Sequence, residues 1–147
     1  GNFAEKGKTD KFIFDQYLDN YYYSKINSKR SLDTNDFDIS FAKGLSLENG
    51  TTTITNLTSE ILSKRIGAND IYVCGGGRKN KFLINSLKNK ISNKIFLIDK
   101  LNIDGDFVES QAFAFLAIRS YLGLYISFPS TTNCKKPSFG GTIIKKS

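Results

Sequence analysis

No histidine occurs anywhere in the 147 residues. That absence removes every histidine-based catalytic triad, every histidine-ligated metal site and every imidazole proton shuttle. Any chemistry the chain contributes must come from carboxylates, lysine, tyrosine, cysteine or hydroxyls. Cysteine is scarce as well. Cys74 and Cys134 stand far apart, form no Cys-x-x-Cys pair, and are too few for a disulfide framework. A reduced, cytoplasmic setting is the simplest expectation. Long apolar runs are missing: none approaches the ~20 residues that a membrane helix needs, and the N-terminus lacks the apolar core of a signal peptide. The first residue is Gly1 rather than methionine, so the sequence reads as processed, tagged or cut from something longer.

What is present is ordinary globular material. At 39% apolar and 24% charged residues, the chain is long and apolar enough for one domain with a real core. The net charge of +7 raises nucleic acid as a partner. The lysines are scattered, however, with short doublets at Lys135-Lys136 and Lys145-Lys146. Aromatic residues do not interleave with them as a stacking platform requires. The reading therefore goes against nucleic acid and towards compositional bias.

The stretch that organises the chain is Ile71-Tyr72-Val73-Cys74-Gly75-Gly76-Gly77-Arg78-Lys79-Asn80. A short apolar run is the mark of a buried parallel strand. Three glycines at its carboxyl end remove every Cβ, so the backbone turns sharply and a ligand can approach closely. In open α/β sheets, ligands bind beyond the carboxyl ends of the strands. Asn80 suits the N-cap of a helix carrying Phe82, Leu83, Leu87 and Ile91. The spacing is neither the dinucleotide fingerprint nor a P-loop. On pattern alone, a ligand corner and a plain strand–turn–helix corner both stand.

Taken in order, residues 1–9 read as loop. A helix begins at Asp10 as cap, with Ile13, Phe14, Tyr17, Leu18 and Tyr21 in an apolar stripe; Asn20 to Arg30 reads as loop. The segment Ser31 to Asp38 is dense in turn formers, and its three aspartates read as a solvated turn because a calcium loop's glycine and distal glutamate are missing. A second helix is expected from Asn49-Gly50-Thr51-Thr52, with a Glu60–Lys64 pair on its outer face and Gly67 closing it at C′.

A second strand, Lys94 to Asp99, then completes a βαβ unit over residues 71–98, with parallel strands and a right-handed crossover. A third helix, from about Asp106 to Leu122, is apolar nearly all round, so most of its body is expected to be buried. Glu109 lies in its first turn. It reads equally as a carboxylate favouring the helix's positive end and as a functional group facing a cleft. The tail from Ser127 reads as an ordered loop ending in a short strand.

This succession resembles the C-terminal part of the anhydro-N-acetylmuramic acid kinases. The pieces that carry the resemblance are Ser31-Leu32-Asp33 with Asp36-Phe37, the run Gly50 to Thr58, and the run Val73 to Asn80. Val108-Glu109-Ser110-Gln111-Ala112-Phe113-Ala114-Phe115 with Leu116-Ala117 follows, then Pro129-Ser130-Thr131-Thr132 leading to Gly140-Gly141. The resemblance implies a lobe of the sugar-kinase/heat-shock/actin fold: an α/β lobe with a parallel sheet, one of two around an ATP cleft. Residues 1–147 would form that single C-terminal lobe, residues 1–45 belonging in part to inter-lobe or insertion segments.

It further implies an enzyme that uses ATP, with Mg2+, to open the 1,6-anhydro ring of the amino sugar and phosphorylate O6 in cell-wall recycling. Gly75, Gly76, Gly77 and Asn80 would line the nucleotide, Glu109 would face the sugar, and a homodimer is the family precedent. Two departures stand out. Arg30 replaces the usual lysine, without its preceding proline run, and Asn133 replaces a glycine, where Asn still tolerates left-handed φ.

In that family the phosphate-binding loop and the general-base aspartate lie in an N-terminal lobe that this sequence does not contain. The expectation is therefore one wall of an active site, inactive alone. Its rivals are a stand-alone module that binds a nucleotide or sugar without turnover, and a basic RNA-associated domain.

Overall fold

The computed structural model describes residues 1–25, 37–67 and 69–144, with the side chains of 21–25 excepted. Ser31, Leu32, Asp33, Asp36, Arg30 and the Lys145-Lys146 doublet lie outside the described residues. Five α-helices and two strands appear among the described residues: α1 (Lys11–Lys25), α2 (Leu47–Arg65), β1 (Ile71–Val73), α3 (Lys81–Lys88), β2 (Ile95–Leu97), α4 (Val108–Tyr121) and α5 (Pro129–Thr132). Short 3-10 turns at Ser40–Gly44, Gly76–Lys79 and Ile98–Leu101 connect them.

The βαβ unit forms, but its strands are not buried as the apolar runs predicted: Tyr72 is 43% and Leu97 46% exposed. β1 and β2 pair in parallel, with Ile71 opposite Ile95, Tyr72 opposite Phe96 and Val73 opposite Leu97. Helix α3 joins them and packs against α2. Its start is fixed by Asn80, whose side-chain oxygen accepts the Leu83 N–H at 3.1 Å, so one donor of the helix's open first turn is satisfied. Leu87 is the buried residue of α3, whereas Ile91 falls beyond its end.

The core sits under α2. Leu57 and Ile61 are buried against Phe14, Tyr17, Leu18, Phe37 and Phe41, and the rings of Tyr17 and Phe41 lie 4.6 Å apart. The amino-terminal face of α2 is polar yet buried. Thr52 Oγ1 lies 2.7 Å from the carbonyl oxygens of Ala4 and Glu48, and Thr53 Oγ1 accepts the Asp10 N–H at 3.0 Å. Lys8 N–H reaches the Asn49 side chain at 2.8 Å. These bonds tie the loop over residues 1–9 to α2, because a buried hydroxyl without a partner would be costly.

Several boundaries differ from the sequence reading. Helix α1, capped by Asp10 through a 3.0 Å bond from the Ile13 N–H, continues to Lys25, where a loop was expected from Asn20. Helix α2 starts earlier, at Leu47, because Ser46 caps it by accepting the Asn49 N–H at 3.2 Å. Gly67 does follow the cap residue Ile66, but its φ is not left-handed. The helix leaves in extended backbone and needs no special glycine. In the tail, Pro129 starts the short helix α5, fitting proline's fixed φ at a first helical position. Asn133 ends it at φ 56°, the left-handed geometry that asparagine tolerates. The expected closing strand is replaced by a single antiparallel bridge between Ser127 and Ser138.

The largest correction concerns α4. It was expected to be mostly buried, yet it contains no buried residue. The tail lies along one side, at Phe113, Leu116 and Ser120. The remainder leaves Phe115 and Ile118 59% and Tyr121 73% exposed. The pattern measured how apolar the helix is; the described residues do not supply enough surface to cover it.

Candidate functional site

The glycine run forms the corner between β1 and α3. Gly75 has φ 71° and ψ −177°, a conformation that side chains resist and glycine adopts freely. Among the described residues, a Cβ built on Gly75 or on Gly76 would meet nothing within 4 Å, and one on Gly77 would only touch Leu83 Cδ2 at 4.0 Å. The space before Gly75 and Gly76 is therefore open, and a ligand can approach the bare backbone there. Asn80 closes the corner, its side-chain oxygen already engaged as the α3 cap, which leaves its amide nitrogen for any other partner.

Immediately after the glycines comes a residue to which the sequence assigned no role. The Arg78 side chain is only 7% exposed and reaches four groups. Its Nε lies 3.0 Å from Asp99 Oδ2, and one terminal nitrogen lies 3.3 Å from Asp99 Oδ1. The other lies 2.5 Å from Asp106 Oδ1 and donates to the Gly75 carbonyl at 3.1 Å. Asp104 stands at 4.0 Å. Lys79 Nζ meets the second Asp106 oxygen at 2.7 Å.

A planar guanidinium with five donors suits such double carboxylate recognition better than an ammonium. The bond from Arg78, then that from Lys79, holds the Asp106 carboxyl far below the ordinary carboxylate range. The bond from Arg78 likewise depresses Asp99, and the two carboxylates raise Arg78 further above its already high value.

The loop that Arg78 grips carries Gly105, which is buried. Its carbonyl accepts the Gly75 N–H at 2.8 Å. A Cβ there would lie 2.6 Å from Arg78 Nε, so any side chain at position 105 would force the guanidinium to move. Glu109 lies three residues past Asp106, exposed in the first turn of α4, and has no ion-pair partner among the described residues. Gly75, Gly76, Gly77 and Asn80 thus share one corner. Glu109 lies outside it, beyond the Asp99–Asp106 loop that Arg78 and Gly75 bond.

Beside this corner runs a groove of about 650 Å³ lined by Arg78, Lys79, Lys81, Lys88, Leu97 and Asp99. Its lysines suit a polyanion. The donor set does not fit a metal: the described residues contain no group of three acidic or cysteine side chains able to hold one, and Asp99 and Asp106 are already engaged by Arg78 and Lys79.

The family model for anhydro-N-acetylmuramic acid kinase matches residues 1–146. The chain belongs to that family. Among its curated relatives, the anhydro-N-acetylmuramic acid kinase of Pelagibacter ubique is 46% identical over 99% of this chain and 42% of its own length. The proteins of the same name from Brucella anthropi and Zymomonas mobilis are 36% and 32% identical, each covered over 40% of its length. The chain thus spans well under half the length of the relatives it matches. No helix among the described residues is long and apolar enough to cross a membrane.

Proposed function

We propose that this chain is the C-terminal lobe of a cytoplasmic, ATP-dependent kinase that opens 1,6-anhydro-N-acetylmuramic acid and phosphorylates its O6. The observation that carries the reading is the open backbone at Gly75 and Gly76, at the carboxyl end of a parallel strand, in a member of this family. ATP fits this corner, because unshielded backbone lets an adenosine or phosphate approach more closely than any side chain would allow. Gly75, Gly76 and Gly77 line the nucleotide, with the Asn80 amide nitrogen at the edge.

Glu109 serves the sugar. Exposed and unpaired among the described residues, its carboxylate accepts hydrogen bonds from hydroxyl or amide groups and fixes the anomeric carbon near an attacking water. Mg2+ supplies charge neutralisation to phosphoryl transfer, but the described residues do not form its site, which would belong to the other lobe. The general base and phosphate loop would lie there too, and a homodimer completes the proposal.

The test is an assay of ATP-dependent phosphorylation of the anhydro sugar. It uses the complete enzyme, either the full polypeptide carrying this chain or the Pelagibacter ubique relative with this chain in place of its matching segment. Product from the complete enzyme and none from the 147 residues alone is expected, because in-line transfer needs both sides of the γ-phosphate clamped. Turnover by the isolated chain would overturn the two-lobe reading. A folded complete enzyme without product would overturn the activity.

A further inference from the structure

We propose that Arg78 is a positioning residue that couples nucleotide binding at the glycine corner to the placement of Glu109. The inference rests on the nucleotide and sugar roles proposed above. Its basis is the physical path between the two places. Arg78 donates to the Gly75 carbonyl, inside the corner, while gripping Asp99 and Asp106 at either end of the loop that leads into α4. A second link runs in parallel, from the Gly75 N–H to the Gly105 carbonyl.

Both backbone polar groups of Gly75 are therefore bonded to one unit, made of Arg78 and the loop it holds. Gly105, without a Cβ, leaves the guanidinium the room it occupies beside the loop. Glu109 follows Asp106 by three residues on a helix whose first turn has no side-chain cap. Asp106, two residues before the helix begins, is held by Arg78 and Lys79, and the Phe107 N–H at the helix cap bonds the Asp104 carbonyl in the same loop.

A nucleotide that presses on Gly75 and Gly76 cannot shift the corner without moving this unit. A corner held in its binding geometry in turn fixes the α4 start. The consequence is a coupling free energy between the two substrates that is reciprocal by linkage. Lysine at position 78 has no planar fork and cannot bond two carboxylates and a carbonyl in this arrangement.

The experiment uses the complete enzyme and a non-hydrolysable ATP analogue, its affinity measured by calorimetry with and without saturating anhydro sugar. Wild type should bind the analogue about fivefold or more tightly when sugar is present. Arg78→Gln should bring that ratio near one, Arg78→Lys should restore only part of it, and Asp106→Asn should lower it with the Asp99 pair intact. A merely structural role would lower the melting temperature and leave the ratio unchanged.

Coupling that persists in folded Arg78→Gln, or in folded Asp106→Asn should the first variant fail to fold, overturns the proposal. So does a wild type without coupling. Gly76→Val separates the two levels. If it binds the analogue normally, the nucleotide site itself is wrong. If it loses binding while Arg78→Gln keeps its coupling, only the positioning role is wrong.

Discussion

Arg78 and Gly105 are shaped to one another: the guanidinium lies where a side chain at position 105 would begin, 2.6 Å from the Cβ that glycine lacks. Gly105→Ala should therefore displace Arg78 from its carboxylates. As an overpacking change it should cost about 1–3 kcal/mol. In an Arg78→Ala background the same substitution should cost clearly less, and a double-mutant cycle by denaturant unfolding measures that difference. Equal costs in both backgrounds would show that the contact is not the reason for glycine.

The acid limb of stability should report the same cluster. Asp106 and Asp99 are held below the ordinary carboxylate value in the folded chain, chiefly by the bonds from Arg78. Groups depressed on folding contribute stability that is fully present above the unfolded value, about 4. It is lost as the pH falls through the folded values below that. Melting temperatures taken from neutral pH down to strongly acidic solution should fall steeply below about pH 4. Asp106→Asn should start lower and fall less steeply, whereas parallel curves would remove Asp106 from the acid transition.

Asn80→Ala should lower stability by about 1 kcal/mol through the lost cap on Leu83, read from urea midpoints. Asn80→Asp keeps an acceptor at that position and should recover most of the loss. No recovery would mean that the amide nitrogen, rather than the cap, is what position 80 supplies.

Glu109→Gln keeps the volume and removes the charge. In the complete enzyme kcat/KM should fall roughly tenfold to a hundredfold, about 1.4–2.7 kcal/mol of transition-state stabilisation. Stability should change little, since Glu109 is exposed. Full activity would return this residue to the role of a helix-end charge.

The parts of the fold legible in the sequence are those whose cause is local. The β1–α3–β2 unit could be read because two short apolar runs flank a helix, and because Asn80 and three glycines punctuate the turn. Asn133 could be read as left-handed because few other residues go there. Where the cause is distant, the reading stopped short. Arg78 was quoted within its motif without a role, because its partners Asp99 and Asp106 lie 21 and 28 residues away. The loop was passed over because Gly105 declares itself only against that guanidinium.

Helix α1 overran its expected end because its aromatic residues lack a clear period yet still continue a helix already begun. Helix α4 was misjudged for another reason. Composition says how much apolar surface needs cover, but not where the cover comes from.

The central claim is that the glycine corner is a nucleotide wall, and the affinity of the complete enzyme for ATP in Gly76→Val tests it most directly. A Cβ at Gly76 meets nothing within 4 Å among the described residues, so the fold should accommodate the substitution at little cost in melting temperature. A branched side chain would instead stand where the nucleotide approaches. ATP affinity should fall by about tenfold or more, equivalent to about 1.4 kcal/mol. A folded Gly76→Val enzyme that binds ATP as tightly as wild type would contradict the account.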